Sequence, residues 1–65
     1  IPKGARVLMI DDLLATGGTM AAACRLINSV GGQIQGLTFL VELCFLNGRE
    51  KIKNHNISSI VKFES

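Results

Sequence analysis

The hydrophobic residues of this chain form two apolar runs separated by a segment with helical spacing. Residues 7–10 are a short run that ends in two acids, and residues 34–43 are a longer run with a glycine near its start. Short apolar runs bounded by turn residues are typical of buried strands. Between them, apolar residues recur every three or four positions from Met20 to Val30, as in an amphipathic helix. The pattern predicts a strand, a helix and a second strand.

Residues 11–19, between the first strand and the helix, contain two acids, a glycine pair and two threonines. This composition predicts a loop. Thr19 is a candidate N-cap for the helix, and Gly31 with Gly32 is a candidate left-handed stop. A strand, a helix and a strand within about 35 residues predict a βαβ unit with parallel strands and a right-handed crossover.

The remaining residues predict one further short strand. Residues 57–63 alternate imperfectly between apolar and polar side chains, as a half-covered strand at a sheet edge does. Asn47-Gly48 is a turn signal, and the polar residues 49–53 predict a single helical turn. We therefore expect an α/β fold in which a parallel βαβ unit is followed by a short strand.

Composition excludes several classes of protein. The chain has 65 residues, of which 48% are hydrophobic and 18% charged, so it is not disordered. A formal net charge of +2 on scattered residues predicts neither nucleic-acid nor membrane binding. No apolar run approaches the roughly 20 residues of a membrane helix, and no signal-peptide pattern appears. Cys24 and Cys44 lie in apolar runs without metal-site spacing, which favours buried, reduced thiols over a disulfide in an intracellular, soluble setting.

The apolar content is high for so short a chain, with a mean hydropathy of +0.38. A domain of this size buries only roughly 60% of its unfolded surface. Strands covered on both faces carry near-continuous apolar runs. The chain also begins at Ile1 without an initiator Met and runs almost directly into the first strand. These features predict a segment of a larger domain.

Residues 11–19 also carry the candidate chemistry. Ligands of open α/β sheets bind where a strand passes into the next helix, and the N–H groups of a helix N-terminus favour phosphate. Gly17 and Gly18 allow close approach of an anion, while Asp11 and Asp12 imply that the ligand also carries hydroxyls, as ribose 5-phosphate does. Neither a P-loop nor a dinucleotide GxGxxG motif is present. In the simpler alternative, the acids end a strand and the glycines form an ordinary turn.

The sequence VLMIDDLLATGGT of residues 7–19 resembles the phosphoribosyl-pyrophosphate motif of type I phosphoribosyltransferases: four hydrophobic residues, two acids, a short spacer and T-G-x-T. Within that family, residues 13–22, Val41-Glu42-Leu43 and residues 46–51 resemble the adenine phosphoribosyltransferases. The resemblance covers nearly the whole chain and implies a partial type I phosphoribosyltransferase, or Rossmann-like, fold. Residues 1–65 would be the carboxyl-terminal segment of a single domain whose upstream part is absent.

The resemblance also implies an activity. Enzymes of this kind are glycosyltransferases of purine salvage that transfer 5-phosphoribosyl from phosphoribosyl pyrophosphate to adenine, giving AMP and pyrophosphate. It implies Mg²⁺ bound with phosphoribosyl pyrophosphate, a cytoplasmic homodimer, and no nucleic-acid or membrane partner. Transfer builds positive charge on the sugar carbon, which fixed carboxylates and a metal on the leaving group would stabilise.

Roles for individual residues follow from the same resemblance. Asp11 and Asp12 would hold the ribose hydroxyls, and Leu43 would lie near the adenine pocket. No residue is expected to bind the metal directly. The catalytic acidic residue belongs to a mobile loop outside this chain, so the segment alone is expected to be inactive. The residues expected to bind the 5-phosphate are Ala15, Thr16, Gly17, Gly18 and Thr19.

Two other functions remain open. The chain could belong to a non-catalytic relative that senses a nucleotide and regulates, or to a phosphoribosyltransferase for another base. The charged residues of segment 49–53 predict either an exposed helical face or a subunit contact, and His55 is expected to be a solvated loop residue.

Overall fold

Three parallel strands in the order β1, β2, β3 form one sheet in the computed structural model, which describes residues 2–65. The first strand, β1, spans Arg6–Leu14; β2 spans Gln33–Leu43, and β3 spans Ile57–Phe63. Both strand pairs are parallel. The predicted α/β class, the parallel βαβ unit and the further short strand are therefore confirmed, whereas Ile1 lies outside the described residues.

Helices make both connections between the strands. The α-helix α1, Gly18–Ser29, joins β1 to β2. Two short 3-10 helices, Cys44–Leu46 and Gly48–Ile52, join β2 to β3, and the second of them confirms the predicted polar helical turn. Because β2 lies between the other two, β3 is an edge strand within residues 2–65, as predicted.

The first strand is longer than the sequence predicted. Asp11 and Asp12 were expected in a loop, yet β1 continues through them to Leu14. The reason is pairing with β2, because Leu13 aligns with Val41 and Leu14 with Glu42 in the parallel register. Backbone hydrogen bonds to a neighbouring strand stabilise the extended conformation whatever the local composition. The connecting loop is therefore only residues 15–17.

The helix also begins earlier than predicted, so the expectation of Thr19 as N-cap is wrong. Gly17 is the N-cap, with a φ of 86° and no side-chain capping hydrogen bond. At the other end, the predicted glycine stop is confirmed. Gly31 has a φ of 85°, and its N–H donates to the Asn28 carbonyl at 3.1 Å, while the Gly32 N–H donates to the Ile27 carbonyl at 3.0 Å. These two bonds make a Schellman motif.

The core lies between α1 and one face of the sheet. Phe39, at the centre of β2, is fully buried. Large apolar side chains remain exposed elsewhere, among them Leu8, Ile10 and Ile60 on the strands. The high apolar content of the sequence is therefore only partly used by the core that residues 2–65 form. The buried core residues are Leu14, Met20, Ala21, Cys24, Leu37, Phe39 and Ile52.

Three burial predictions need correction. Both cysteines are free thiols as predicted, but only Cys24 is buried, because Cys44 follows the end of β2 and is half-buried. Leu26 is one of the apolar residues in the helical pattern from Met20 to Val30, yet it is exposed because it lies about 200° around the helix from buried Cys24. His55 lies in the loop before β3, as predicted, but it is half-buried rather than solvated; its N–H donates to the Ile52 carbonyl at 3.1 Å. Within residues 2–65, no helix is long and apolar enough to cross a membrane.

Candidate functional site

A pocket of about 250 Å³ lies where β1 passes into α1. It occupies the carboxyl end of the parallel strands, which is the usual position of ligands in α/β sheets. Phe39 of β2 and Met20 of α1 contribute apolar wall, and the loop between β1 and α1 contributes main chain. The residues around the pocket are Asp11, Asp12, Leu13, Leu14, Ala15, Thr16, Gly17, Thr19, Met20 and Phe39.

The loop between β1 and α1 brings a helix N-terminus to this pocket. The Ala21 N–H donates to the Gly17 carbonyl at 2.9 Å and so closes the first turn of α1. The N–H groups before it have no intrahelical acceptor, and together they carry about half a positive charge. No acidic side chain lies in this first turn to neutralise that charge. The geometry suits a phosphate group bound mainly by main-chain N–H donors.

The loop rests directly on the turn that follows β2. A methyl group at Gly17 would overlap the carbonyl group of Gly48, and a methyl group at Gly48 would overlap the carbonyl oxygen of Ala15. Both glycines are buried. The two main chains are in contact with no space for a side chain, so the turn at Gly48 forms the support behind the loop.

The two carboxylates stand at the rim of the pocket. Asp11 is half-buried and Asp12 exposed. Successive residues of a strand face opposite sides of the sheet, so the two side chains diverge. An oxygen of the Asp11 carboxylate accepts the Asp12 N–H at 2.8 Å, which restrains that side chain. Both carboxylates can accept hydrogen bonds from hydroxyl groups of a ligand.

The donor set fits Mg²⁺ held together with a substrate. In residues 2–65, no group of three His, Cys, Asp or Glu side chains could hold a metal ion. Magnesium commonly binds through one or two carboxylates and keeps several waters, while substrate phosphates supply other ligands. Asp11 and Asp12 place two carboxylates beside the loop of residues 15–17, where they would hold such an ion through its waters.

A lysine from the 3-10 turn reaches the same helix N-terminus. A methyl group at Gly18, the first residue of α1, would lie 3.8 Å from Lys51 Nζ. An ammonium group and a helix N-terminus are both positive, so their proximity favours an anion that contacts both. The sequence predicted Lys51 to be on an exposed face; Lys51, Glu50 and Lys53 are exposed, but Arg49 is half-buried.

Arg49 is half-buried because it pairs with a buried acid. Arg49 donates from Nε to Glu42 Oε2 at 2.7 Å and from Nη2 to Oε1 at 2.9 Å. Ser59 Oγ donates to Oε1 at 2.6 Å. The hydrogen bond from Arg49 outweighs desolvation and lowers the pKa of Glu42 to about 2, with Ser59 acting in the same direction. In turn, the Glu42 carboxylate raises the pKa of Arg49.

Most of the predicted site residues come together. All of the predicted phosphate-binding residues except Gly18 line the pocket, as do Asp11 and Asp12. Gly18 lies beside it as the first residue of the helix. Leu43, predicted near an adenine pocket, ends β2 next to Phe63 of β3, and it is not among the lining residues. The roles assigned to all of these residues stay predictions. The role of Leu43 is the one that this pocket does not support by position.

Two features of the site were not predicted from the sequence. Phe39 was predicted only as a strand residue, yet it forms apolar wall of the pocket. The pairing of Glu42 with Arg49 was also missed. A signal for it exists in the sequence, since Glu42 is the one charged residue within the apolar run 34–43, and buried glutamates are almost always paired.

Comparisons with known proteins agree with this geometry. A family profile described as "Phosphoribosyl transferase domain" matches residues 1–64. The adenine phosphoribosyltransferase of Chloroflexus aurantiacus is 60% identical over 60 residues, which are 92% of this chain and 35% of that protein. The enzyme of the same name from Acetivibrio thermocellus is 54% identical over 63 residues, covering 97% of this chain and 37% of its own length. The chain thus spans about a third of the length of these relatives.

Solved structures point the same way. The adenine phosphoribosyltransferase of Thermoanaerobacter pseudethanolicus has a TM-score of 0.95 and 48% identity, covering 97% of this chain and 38% of its own. That of Trypanosoma brucei, solved with AMP, pyrophosphate and ribose-5-phosphate, has a TM-score of 0.86 and 30% identity over 95% of this chain and 30% of its own. The predicted resemblance and the partial type I fold are confirmed. The chain belongs to the phosphoribosyltransferase family.

Proposed function

We propose that this chain is the phosphoribosyl-binding part of an adenine phosphoribosyltransferase. The observation that carries the proposal is the pocket at the end of β1, where a glycine loop, a helix N-terminus and two carboxylates meet. Such a set suits a ligand with a phosphate at one end and hydroxyls at the other. Relatives named adenine phosphoribosyltransferase, up to 60% identical, support adenine as the base.

The 5-phosphate binds in the loop of residues 15–19. Main-chain N–H groups at the start of α1 donate to its oxygens, and the hydroxyls of Thr16 and Thr19 can add donors. Gly17 takes the left-handed φ that lets the main chain turn into the helix there. The loop forms one wall of the pocket of about 250 Å³ at the end of β1.

The ribose lies over the end of β1. Its hydroxyls donate to the carboxylates of Asp11 and Asp12, and this orients the reacting carbon; the same carboxylates would hold Mg²⁺ through its waters. When bound with phosphoribosyl pyrophosphate, the metal would neutralise charge on the leaving pyrophosphate. The fixed carboxylates favour the positive charge that develops on the sugar as the bond to pyrophosphate breaks.

Other parts of the reaction belong to the remaining two-thirds of such an enzyme. We include in the proposal a role in purine salvage, a cytoplasmic location and a homodimer, all of which follow from the family resemblance. The catalytic acidic residue and most of the purine pocket would come from residues outside this chain. A closing loop excludes water from such sites, so this chain alone would turn over little substrate.

The test is an amide-shift titration of the full protein with AMP, ribose 5-phosphate and adenosine. The first two ligands should shift amide signals centred on residues 15–19. Adenosine lacks the phosphate and serves as the matched control, so it should leave those signals nearly unchanged. Shifts confined to other residues would refute the phosphate site.

A turnover assay separates the enzyme from a regulator. The full protein should form AMP from adenine and phosphoribosyl pyrophosphate in the presence of Mg²⁺. Binding of AMP without any turnover would instead favour the nucleotide-sensing relative. Turnover with another base and not with adenine would favour a sister enzyme.

A further inference from the structure

A buried carboxylate lies behind the pocket but outside it. Glu42 is only 3% exposed, and it is the one buried charged residue in the described part of the chain. Its two oxygens accept three hydrogen bonds, two from the Arg49 guanidinium and one from the Ser59 hydroxyl. The carboxylate thus joins β2, the 3-10 turn after it and β3 at a single point.

The 3-10 turn held by this carboxylate supports the phosphate-binding loop. Arg49 directly follows Gly48, whose main chain leaves no space for a methyl group on Gly17; the Ala15 carbonyl in turn leaves none for a methyl group on Gly48. A displacement of the turn would therefore move the loop or open a gap behind it. The contacts run from Glu42 to Arg49, through the peptide bond to Gly48, and from Gly48 to Gly17.

Glu42 contacts the other end of the same loop through its backbone. In the parallel register it aligns with Leu14, the last residue of β1 before the loop starts. The main chain of Glu42 thus holds the residue at which the loop starts, while its side chain holds the turn that packs against the end of the loop. One residue of β2 is connected to both sides of a segment only a few residues long.

Stability alone does not explain why an ion pair occupies this position. Burying a carboxylate costs several kcal/mol of desolvation, and an apolar pair of similar volume often stabilises a protein as well or better. An arginine fork on a carboxylate differs in fixing direction and distance at two points. A turn that must support a ligand loop needs that geometry.

We propose that Glu42 and Arg49 are positioning residues for the 5-phosphate: they hold Gly48 against Gly17 and so keep the loop in its binding conformation. The inference rests on the proposed function, because it assumes that the loop binds a phosphate. Neither residue lines the pocket, and both act through the turn at Gly48.

The test compares affinities of the full protein for AMP and adenosine, measured by calorimetry. Glu42→Gln keeps the size of the side chain and removes its charge, and Arg49→Lys keeps the charge and removes the fork. Each should weaken AMP binding on the order of ten- to a hundredfold, the scale for losing one hydrogen bond to a charged phosphate. Adenosine affinity should not change. Lys53→Met, which removes an exposed cation near the end of the same turn, is the matched control and should change neither.

Each result has a distinct meaning. If wild-type protein does not prefer AMP to adenosine, the proposed function fails. If it does, but the variants keep the wild-type ratio of the two affinities while losing stability, Glu42 and Arg49 are only structural and the inference fails. If Glu42→Gln does not fold, the ratio of AMP affinity to adenosine affinity is measured for Arg49→Lys and for the milder Ser59→Ala instead. The double variant with Glu42→Gln and Arg49→Lys should lose no more AMP affinity than Glu42→Gln alone, because both substitutions break the same interaction.

Discussion

The contact between Gly17 and Gly48 leads to a quantitative prediction about replacing one methylene hydrogen by a methyl group. Gly17→Ala places a Cβ at a residue with a φ of +86°, within 3.0 Å of the Gly48 carbonyl carbon and 3.2 Å of its Cα. Those atoms are main chain, which cannot rotate away as a side chain can. Gly4 offers a matched control, because its φ is +83° and a methyl group there would meet nothing within 4 Å.

The two variants share one energy term and differ in another. A left-handed conformation costs a residue with a Cβ about 1–2 kcal/mol. Stiffening of the unfolded chain returns about 0.4–1 kcal/mol of this. Gly4→Ala should therefore lower the free energy of unfolding by about 1 kcal/mol. Gly17→Ala adds an overpacking cost of about 1–3 kcal/mol, so its total should be about 2–4 kcal/mol.

Urea unfolding of the full protein, with and without AMP, measures both effects. The denaturation midpoint should fall further for Gly17→Ala than for Gly4→Ala. Saturating AMP should raise the midpoint of Gly4→Ala as it does that of the wild type, and that of Gly17→Ala much less, since its loop is displaced. Equal destabilisation by the two substitutions would show that the turn yields easily, and it would remove the basis for treating Gly48 as a rigid support.

Two further predictions concern the acids. Asp12→Asn should lower turnover of the full protein on the order of a hundredfold, the scale for losing one stabilising group, and should change the free energy of unfolding by less than about 0.5 kcal/mol because Asp12 is exposed. Wild-type rates in a steady-state assay would contradict the ribose-binding role. Arg49 lowers the pKa of Glu42 to about 2 from 4.5, so this carboxylate contributes stability above pH 4.5 that is lost as the pH falls towards 2. The contribution is at most about 3 kcal/mol, and urea unfolding between pH 5 and 2 should show a smaller pH dependence in Glu42→Gln than in wild type. Identical pH profiles would contradict the ion pair.

Much of the fold was predictable because its signals are local. The glycine stop at Gly31 follows from the conformational freedom of glycine, and residue spacing alone indicates the helix and the buried strands. Predictions failed where a distant segment decides the conformation. Asp11 and Asp12 look like loop residues, but they are strand because β2 pairs beside them. Thr19 looks like a cap, but Gly17 takes that position.

The candidate site also has a part that local sequence signals indicate and a part that depends on distant segments. The phosphate site could be predicted from the sequence, since the acids, the glycines and the helix start all lie within residues 11–19 and their chemistry depends on short-range geometry. The support behind that loop depends instead on tertiary contacts. Gly48, Glu42 and Arg49 come from a later part of the chain, and neither composition nor spacing states that they meet Gly17. Their contact depends on β2 lying beside β1, which brings the turn after β2 against the loop after β1.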